Sequence, residues 1–594
     1  MSTDGSLIPG SQPDPGPGNH TIAATGPLAP FIQYRRLLIP AAAVLALGAV
    51  SAAAVLLLVK PNGAVEKMVP ATADVIVVAN VDPSVSQKVN LLRAVHSFPD
   101  TKTDKAIDDK LDAALKDTGF SFTGDIKPWL GSQIAVSARL NVGSAKDSPA
   151  AIYIASRDDA KAQAMLAKLR TSKYTKTFQW KDETYNGITI SVGTPSDKSQ
   201  QPAAYSFVDH VLVLATNSAQ IHEIIDTDQG RAPRLVDSSD YKATLAGLPS
   251  DRLGYVYVNG KSLVGNVKKE MATTPALSVA LKNMNDVDAL QGIGATLSAN
   301  GDGLLADLLV KLDQSKLTPA TREALAHSGR VDRIVSWVPK ASDAFLAITG
   351  LNKAIQSLLD QSGNDASVKA STDAIGLTGP EGVLAHLTGE AGLEVGFGRT
   401  GLPAGAILLG TDDTRGMTAF FSKLLTLAEG ASSSFGSGSS FGSSTGTGRP
   451  VPPSAGHVTT INYRGVVITS WSSPDLAQLG GVTPSYAVLD AMGILASSAD
   501  ELKAIIDTHK DGTTIASDQT YKTASAASIA NPASIFYVDV ARLVDTLRHS
   551  QLGSQAGLGS DNTLSANLDP IKAVIVTGAS QPDRATERFF VIIR

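Results

Sequence analysis

One unit of sequence is written twice along this chain of 594 residues, at a spacing of roughly 255 to 280 residues, far beyond the short periods of solenoids. Val69-Pro70 followed by Asp74 returns as Val338-Pro339 followed by Asp343, and Leu130-Gly131 as Thr388-Gly389. Ala151-Ile152 ahead of Asp158-Asp159 returns as Ala406-Ile407 ahead of Asp412-Asp413. Tyr185-Asn186-Gly187-Ile188 returns as Tyr463-Arg464-Gly465-Val466, Tyr241-Lys242 as Tyr521-Lys522, and Tyr257-Val258-Asn259 as Tyr537-Val538-Asp539. The best match runs from Ala215 to Asp226 against Ala496 to Asp507. There Asn217 with Gln220, and Ser498 with Glu501, supply an N-cap side chain and its N3 partner. Ile221, Ile224 and Ile225, like Leu502, Ile505 and Ile506, then mark one apolar helical face.

Such a repeat requires a fold that one unit can build and a second can copy. Alternating runs such as Ile134-Ala135-Val136-Ser137 and Tyr255-Val256-Tyr257-Val258, separated by Asn-Gly and Asp-Gly steps, favour antiparallel strands. Helical segments stand between them. The expectation is α+β: two homologous domains, each a mainly antiparallel sheet with helices packed on one face. The first copy spans 66–313, a helical connector 314–333 centred on Thr318 to Ser328, and the second copy 334–594. Within the second copy, 430–456 is a Ser/Gly/Pro-rich insertion whose composition cannot build a core, so it is expected to be disordered.

Ahead of the repeat lies a stretch of another kind. Leu37 to Val59 contains no charge, and about 23 residues at a rise of about 1.5 Å give about 35 Å, enough to cross a bilayer with some tilt. Residues 35–60 therefore read as a single transmembrane anchor, with 37–59 in contact with the lipid bilayer. A cleaved signal peptide is the rival, with Ala52, Ala53 and Ala54 as small residues near its end. The apolar run continues past them to Val59, which favours an uncleaved span. Residues 1–34 are rich in Pro and Gly, without an apolar periodicity, and read as a disordered tail. Arg35 and Arg36 against Lys60 and Lys67 give a weak positive-inside preference. Together with the short tail and the large mass that follows, it puts the N-terminus in the cytoplasm and both copies outside the plasma membrane.

The composition removes several kinds of chemistry. No cysteine is present, which excludes disulfides, thiolate metal ligands and cysteine nucleophiles. With 51 Lys plus Arg against 56 Asp plus Glu, the net charge of -5 leaves no basic excess for nucleic acid, and none is expected as a partner. Gly396 to Gly401 has the G-x-G-x-x-G spacing, but Leu402-Pro403 and another strand follow where a helix would have to begin, so it reads as a hairpin turn. Gly438-Ser439-Ser440-Phe441-Gly442 mimics a nucleophile elbow inside the Ser/Gly-rich insertion, without the flanking strand and helix. Ser239 and Lys242 have the S-x-x-K spacing and Ser560-Asp561-Asn562 an S-D-N triplet, but K-T-G is missing and Gln519 stands at the second-copy position of Ser239. Asp158-Asp159 and Asp412-Asp413 invite a hard cation, yet at a helix start carboxylates more simply cap free amides. The nine His residues include no pair at metal-ligand spacing, and His222 reads as solvated. Trp129, after Pro128, is a candidate for lining a ligand cleft, a core anchor being its commoner fate. No catalytic, cofactor-binding or metal residue is assigned, and no cofactor is expected.

Val69-Pro70-Ala71-Thr72-Ala73-Asp74, Asn80-Val81-Asp82-Pro83, Asp125-Ile126-Lys127-Pro128-Trp129-Leu130-Gly131 and the junction at Asp158-Asp159-Ala160 carry a resemblance to a bacterial family. It is the family of membrane-anchored proteins catalogued as domain of unknown function 3352. The second copy lacks the Pro-Trp pair. The resemblance implies a single anchor, an exported globular part and no established activity, and it supplies no catalytic residue. The leading expectation is thus a non-catalytic binding or scaffolding protein of the bacterial cell envelope, with an envelope protein or a lipid as possible partner. The alternatives are a carrier of a lipid or other hydrophobic ligand and, behind it, a serine hydrolase using Ser239 and Lys242.

Overall fold

The computed structural model describes residues 65–139, 149–173, 175–196, 202–273, 286–326, 329–361, 366–379, 382–397, 403–435, 457–473, 482–549 and 563–594. Residues 1–34 and 35–60, expected to be a tail and an anchor, the G-x-S-x-G and S-D-N stretches and most of 430–456 lie outside the described residues. So does the tip of the Gly396–Gly401 turn. Among the described residues no helix is long and apolar enough to cross a membrane.

The first half runs β1 (Val75–Asn80), α1 (Val85–His96), α2 (Asp104–Leu115), β2 (Leu130–Ala138), β3 (Ala150–Ser156), α3 (Asp159–Arg170), then β4 (Phe178–Tyr185), β5 (Ile188–Pro195), β6 (Ala203–Val208) and β7 (Val211–Ala215). It continues with α4 (Ser218–Asp228), α5 (Ser239–Leu245), β8 (Gly254–Asn259), α6 (Gly260–Thr273), β9 (Leu290–Asn300) and β10 (Gly303–Leu312). The connector holds α7 (Pro319–Ala326). The second half runs β11 (Ala344–Ile348), α8 (Leu351–Gln361), α9 (Ala366–Ala374), β12 (Leu387–Phe397), β13 (Pro403–Thr411), α10 (Thr414–Phe435), β14 (His457–Tyr463), β15 (Val466–Ser472), β16 (Ser485–Leu489) and β17 (Met492–Ala496). It ends with α11 (Ala499–Asp511), α12 (Gln519–Ala526), β18 (Ser534–Val538), α13 (Val540–Arg548), α14 (Thr563–Leu568), β19 (Ile571–Gln581) and β20 (Arg584–Ile593). α10 carries through Gly430 to Phe435, so the first residues of the Ser/Gly-rich stretch are helical.

The protein is α+β, and its strands form one twenty-stranded sheet. The first half contributes the order β4-β5-β6-β7-β3-β2-β1-β8-β9-β10, every neighbour antiparallel. β10 then pairs with β20, and the second half reads outward as β20-β19-β18-β11-β12-β13-β17-β16-β15-β14. The order is the same in the two halves, and the β10–β20 seam makes one sheet of what the sequence suggested as two.

Local contacts repeat as well. The amide of Leu235 donates to the Val69 carbonyl, and that of Ile515 to Val338. The Tyr185 hydroxyl reaches Asp226 at 2.9 Å, and the Tyr463 hydroxyl reaches Asp507 at 2.8 Å. Asn217 caps α4 by accepting from the Gln220 amide at 2.9 Å, and Ser498 caps α11 by accepting from Glu501 at 3.1 Å. Such a side-chain cap contributes about 1 kcal/mol. In both halves the β2–β3 type of pairing skips register at one place, between Leu130 and Ile134 and between Leu387 and Ala391. Leu130 therefore corresponds to Leu387, one residue away from the Thr388 that sequence alone suggests.

The placement of helices on one face is corrected by the packing. On the inner face, α4 and α5 cover Ile76, Val78, Tyr255 and Tyr257, and α11 and α12 cover Phe345, Tyr537 and Ile575. The opposite face is also covered in part: α1 and α2 over Ala79, Ile134 and Leu297, α3 over Ile154 and Leu212, α6 over Val258 and Ile293, α10 over Leu409 and Leu495. The reason lies in strands such as Val75-Ile76-Val77-Val78, apolar at both parities, so that each face needs a cover.

Candidate binding face

Where the outer helices stop, the sheet shows an uncovered apolar row. Val256 on β8, Val77 on β1, Val136 on β2 and Ile152 on β3 are direct cross-strand partners. Val77, Val136 and Ile152 are 38–40% exposed, much for branched aliphatic side chains in mid-sheet. The second half presents the same row in the same register: Phe536 on β18, Leu346 on β11, Leu393 on β12 and Ile407 on β13. Phe536, Leu393 and Ile407 are 38–44% exposed. Four strands at about 4.8 Å make each row about 14 Å long. No charged residue occupies an outward position of β1, β2, β3 or β8 beside the first row. The floor is thus apolar, bounded at one end of the strands by the cluster that α1 and α2 build over Ala79, Ile134 and Ile154, by α3 on one flank and by α6 on the other.

The second unusual feature is buried under the inner face of the second half. Glu394, on β12, is 1% exposed, and one of its carboxylate oxygens has no hydrogen-bond partner. Burial pushes its carboxyl well above the usual range, and the neighbouring carboxyl of Glu501, in the first turn of α11, adds to the effect. Burial raises Glu501 too. Asp343, 2% exposed at the entry to β11, is likewise raised by burial, although one oxygen accepts from the Phe397 amide at 2.7 Å. Asp343 feels a cation from α13: Arg542, which lowers its carboxyl somewhat, pairs with Asp539 at 3.1 Å and Asp518 at 3.6 Å and donates to the Ser342 carbonyl at 2.6 Å. Among the described residues neither Glu394 nor Glu501 forms an ion pair, so the two carboxyls share their surroundings without a counter-ion there. By register, the first half has Ser137 and Gln220 at these two positions, and the Ser137 hydroxyl lies 3.1 Å from that of Tyr153.

Residues singled out from sequence fall apart in space. Trp129 is 1% exposed, packed against Ala162, Leu166 and Leu212 beneath α3, with its indole N–H donating to the Asp125 carbonyl at 2.6 Å. It is a core anchor and lines no cleft. Beside it, on the surface, an open recess of about 470 Å³ is lined by Asp112, Lys116, Phe120, Asp125 and Lys168, but Lys168 already pairs with Asp125 at 2.7 Å. Ser239 is exposed in the first turn of α5, and Lys242 faces Asp237 at 3.5 Å rather than a nucleophile. Asp158 caps α3 by accepting from the Lys161 amide at 3.2 Å, while Asp159 pairs with His210 and Asp412 with His386. His222 stacks on Tyr185 at 4.0 Å and contacts Glu183 at 2.9 Å. Phe397 pairs with Pro403 across a hairpin, as expected for the G-x-G-x-x-G stretch. Among the described residues no group of three or more His, Asp or Glu is placed to hold a metal ion.

The apolar rows and the Glu394–Glu501 pair escaped the reading of the sequence. A signal for the rows was present in the double-parity apolar strands. None existed for the pair, because Glu394 is inward only through the register of β12.

The family description "Protein of unknown function (DUF3352)" matches residues 38–437, which take in all of the first half and run past α10 in the second. No curated protein matches the chain. Among solved structures, crystal form III of TP0453 is 12% identical with a TM-score of 0.24, over 44% of this chain and 85% of that one. Crystal form I is 10% identical with a TM-score of 0.23, over 43% and 82%. At such scores the likeness carries no argument about function.

Proposed function

Given that the chain belongs to the DUF3352 family of proteins of unknown function, we propose that it is a non-catalytic binding protein of the bacterial cell envelope. In this reading residues 37–59 anchor it in the plasma membrane, the tail 1–34 stays in the cytoplasm, and two copies of one unit stand outside. The ligand is an extended apolar molecule of the acyl-chain class. One observation carries this: the uncovered apolar row that recurs at the same register in both halves. A single exposed aliphatic residue is ordinary on a protein surface, whereas contiguous ones mark a contact site. The setting favours a slender ligand, since helices flank the floor and would hold a flat partner away from it. Each methylene buried there contributes about 0.8 kcal/mol, so about eight would give binding in the micromolar range before ordering costs.

Native mass spectrometry of the full-length protein, followed by solvent extraction, tests the proposal. Up to two apolar ligands per chain are expected. Val136→Lys removes one and Leu393→Lys the other, because each places an ammonium group in mid-row. A ligand load unaffected by both substitutions, or a protein that never carries an apolar ligand, sinks the reading.

A further inference from the structure

The first apolar row does not stop at Ile152. In register it runs on through Leu214 on β7, Tyr205 on β6, Ser191 on β5 and Asp182 on β4. α3 covers Ile154 and Leu212 one row over, while Leu214 and Tyr205 stay partly buried beside it. The last residue of α3, Arg170, reaches this continuation. Its Nε donates to the Tyr205 hydroxyl at 2.5 Å, and its Nη2 donates to the Ser191 hydroxyl at 2.6 Å and to Asp182 Oδ1 at 3.3 Å. Ser191 in turn donates to the same Oδ1 at 2.7 Å, and the guanidinium lies 5.2 Å from the ring centres of Trp180 and Tyr205. The side chains of Arg170 and Asp182 are nevertheless 32% and 56% exposed. A guanidinium has five N–H groups and a carboxylate about four lone-pair sites, so the pair holds its place and still meets solvent with a donor and an acceptor to spare.

Such a cluster can simply pin α3 to the β4–β5 hairpin, but the second half pins the same helix without it. α10 repeats α3 step for step. Asp413 accepts from the Arg415 amide at 3.0 Å where Asp158 caps α3, and Met417 and Phe421 are buried where Ala162 and Leu166 are. Leu425 then stands at the place of Arg170, 7% exposed and packed with Phe421 and Tyr486. The second row runs on through Leu495 and Tyr486 to Thr469 and Thr460, so the first-half positions of Ser191 and Asp182 carry no charge here. We propose that the Arg170–Asp182 station receives the head of the ligand whose chain lies on the first row, and that this head is uncharged and bears hydroxyl groups. The inference rests on the acyl-chain reading of the row and adds the head to it. Arg170 and Asp182 balance each other, so an anionic head would stand uncompensated beside Asp182 and a cationic one beside Arg170. A hydroxyl donates as well as accepts. Two neighbouring hydroxyls therefore suit the station, one donating to the carboxylate and the other accepting from the guanidinium. From Val256 to Tyr205 the row crosses five strand spacings, about 24 Å, which places chain and head in one line. The second row, closed by Leu425, has no such preference.

Native mass spectrometry of delipidated full-length protein reads the head directly when equal amounts of a monoacylglycerol and of the methyl ester of the same acid compete for it. Leu393→Lys, which leaves only the first row, should hold the monoacylglycerol about tenfold over the ester, as hydrogen bonds to charged groups lead one to expect. Val136→Lys, which leaves only the second row, should hold the two about equally. Arg170→Leu added to Leu393→Lys writes the second-half residue into the first half and should bring the ratio close to one. Asp182→Asn in the same background, a change of similar shape at an exposed site, should lower the ratio several-fold and covers the case in which Arg170→Leu fails to fold. Equal binding of the two amphiphiles by Leu393→Lys, a ratio that neither further substitution moves, or a preference for the free fatty acid when it is added to the mixture would each overturn the inference and leave the acyl-chain reading standing. Failure of both amphiphiles to bind any variant or the wild type would overturn that reading and this inference with it.

Discussion

A carboxyl group at an inward strand position keeps its place by staying neutral or by meeting a cation. Glu394 meets none among the described residues, and burial raises its carboxyl well above the usual range. The raised value fixes the sign of its linkage to stability. The contribution is complete below the unfolded carboxyl pKa of about 4.3 and is lost progressively as pH rises through the elevated folded value. Chemical denaturation across pH 5–9 should therefore show stability falling toward alkaline pH. Glu394→Gln should flatten that fall and exceed the wild type by about 1–3 kcal/mol at pH 9, since each tenfold change in proton affinity corresponds to about 1.4 kcal/mol. A slope that survives the substitution would place its origin elsewhere. Ala491 offers a second residue-scale test. It sits at φ +58° in the turn between β16 and β17, a region that costs an L-residue with a Cβ about 1 kcal/mol or more. Ala491→Gly should raise the denaturation midpoint correspondingly. Neither residue stands out in the sequence. An alanine reveals no strain, and a glutamate no burial, until the register of its strand is known. Trp129 fits either a cleft or the core on sequence alone, and its contacts with Ala162, Leu166 and the Asp125 carbonyl place it in the core.

At the scale of elements, the repeated hairpins are the most legible parts of the chain. Asn186-Gly187 and Arg464-Gly465 each supply two successive residues at positive φ, between 48° and 82°, as a two-residue turn of type I′ requires. Less legible is the tether that holds each hairpin down. Tyr185 and Tyr463 lie just before these turns, and their hydroxyls bind Asp226 on α4 and Asp507 on α11. Arg231 holds the Asp226 carboxyl below its usual range, and Arg464 does the same for Asp507, so both acceptors stay ionised at neutral pH. Losing one such bond should loosen the hairpin locally. Tyr463→Phe should speed amide exchange in β14 and β15 by roughly twofold to tenfold, as expected for one modest hydrogen bond, and leave β4 and β5 unchanged. Tyr185→Phe should do the converse. Exchange that rises in both hairpins would mean the tethers act on the whole sheet. The helices are legible by their caps and apolar faces, but not by the side of the sheet they take. A strand apolar at both parities asks for cover on both faces without saying which helix provides it.

For the whole molecule, the decisive contact is the β10–β20 seam, which joins residues about 280 positions apart in a pairing that no local pattern specifies. β10 reads as an apolar strand that any edge could accept. Charges set across the seam fix the choice: Asp307 with Arg588 at 2.6 Å, Lys311 with Asp583, and Asp302 with Arg594. Arg584 and Lys311 hold the Asp583 carboxyl down at about 2. A depressed carboxyl contributes stability above its unfolded pKa of about 3.9, and that contribution is lost as pH falls through about 2. The seam should therefore weaken in acid, in the direction opposite to the Glu394 site, which gives the molecule its most stable range between the two. Asp307 is 7% exposed and faces a guanidinium that also donates to the Ala527 carbonyl at 3.2 Å. Asp307→Ala leaves that guanidinium half-paired in the middle of the sheet, at a cost of about 3 kcal/mol. If the seam is what makes the two halves unfold together, calorimetry should show one transition in the wild type and two in the variant. A single transition that merely moves to lower temperature would mean that the halves are coupled through more of the pairing than this ion pair. Two transitions already present in the wild type would mean that the sheet is continuous in geometry but that each half is stable without the other.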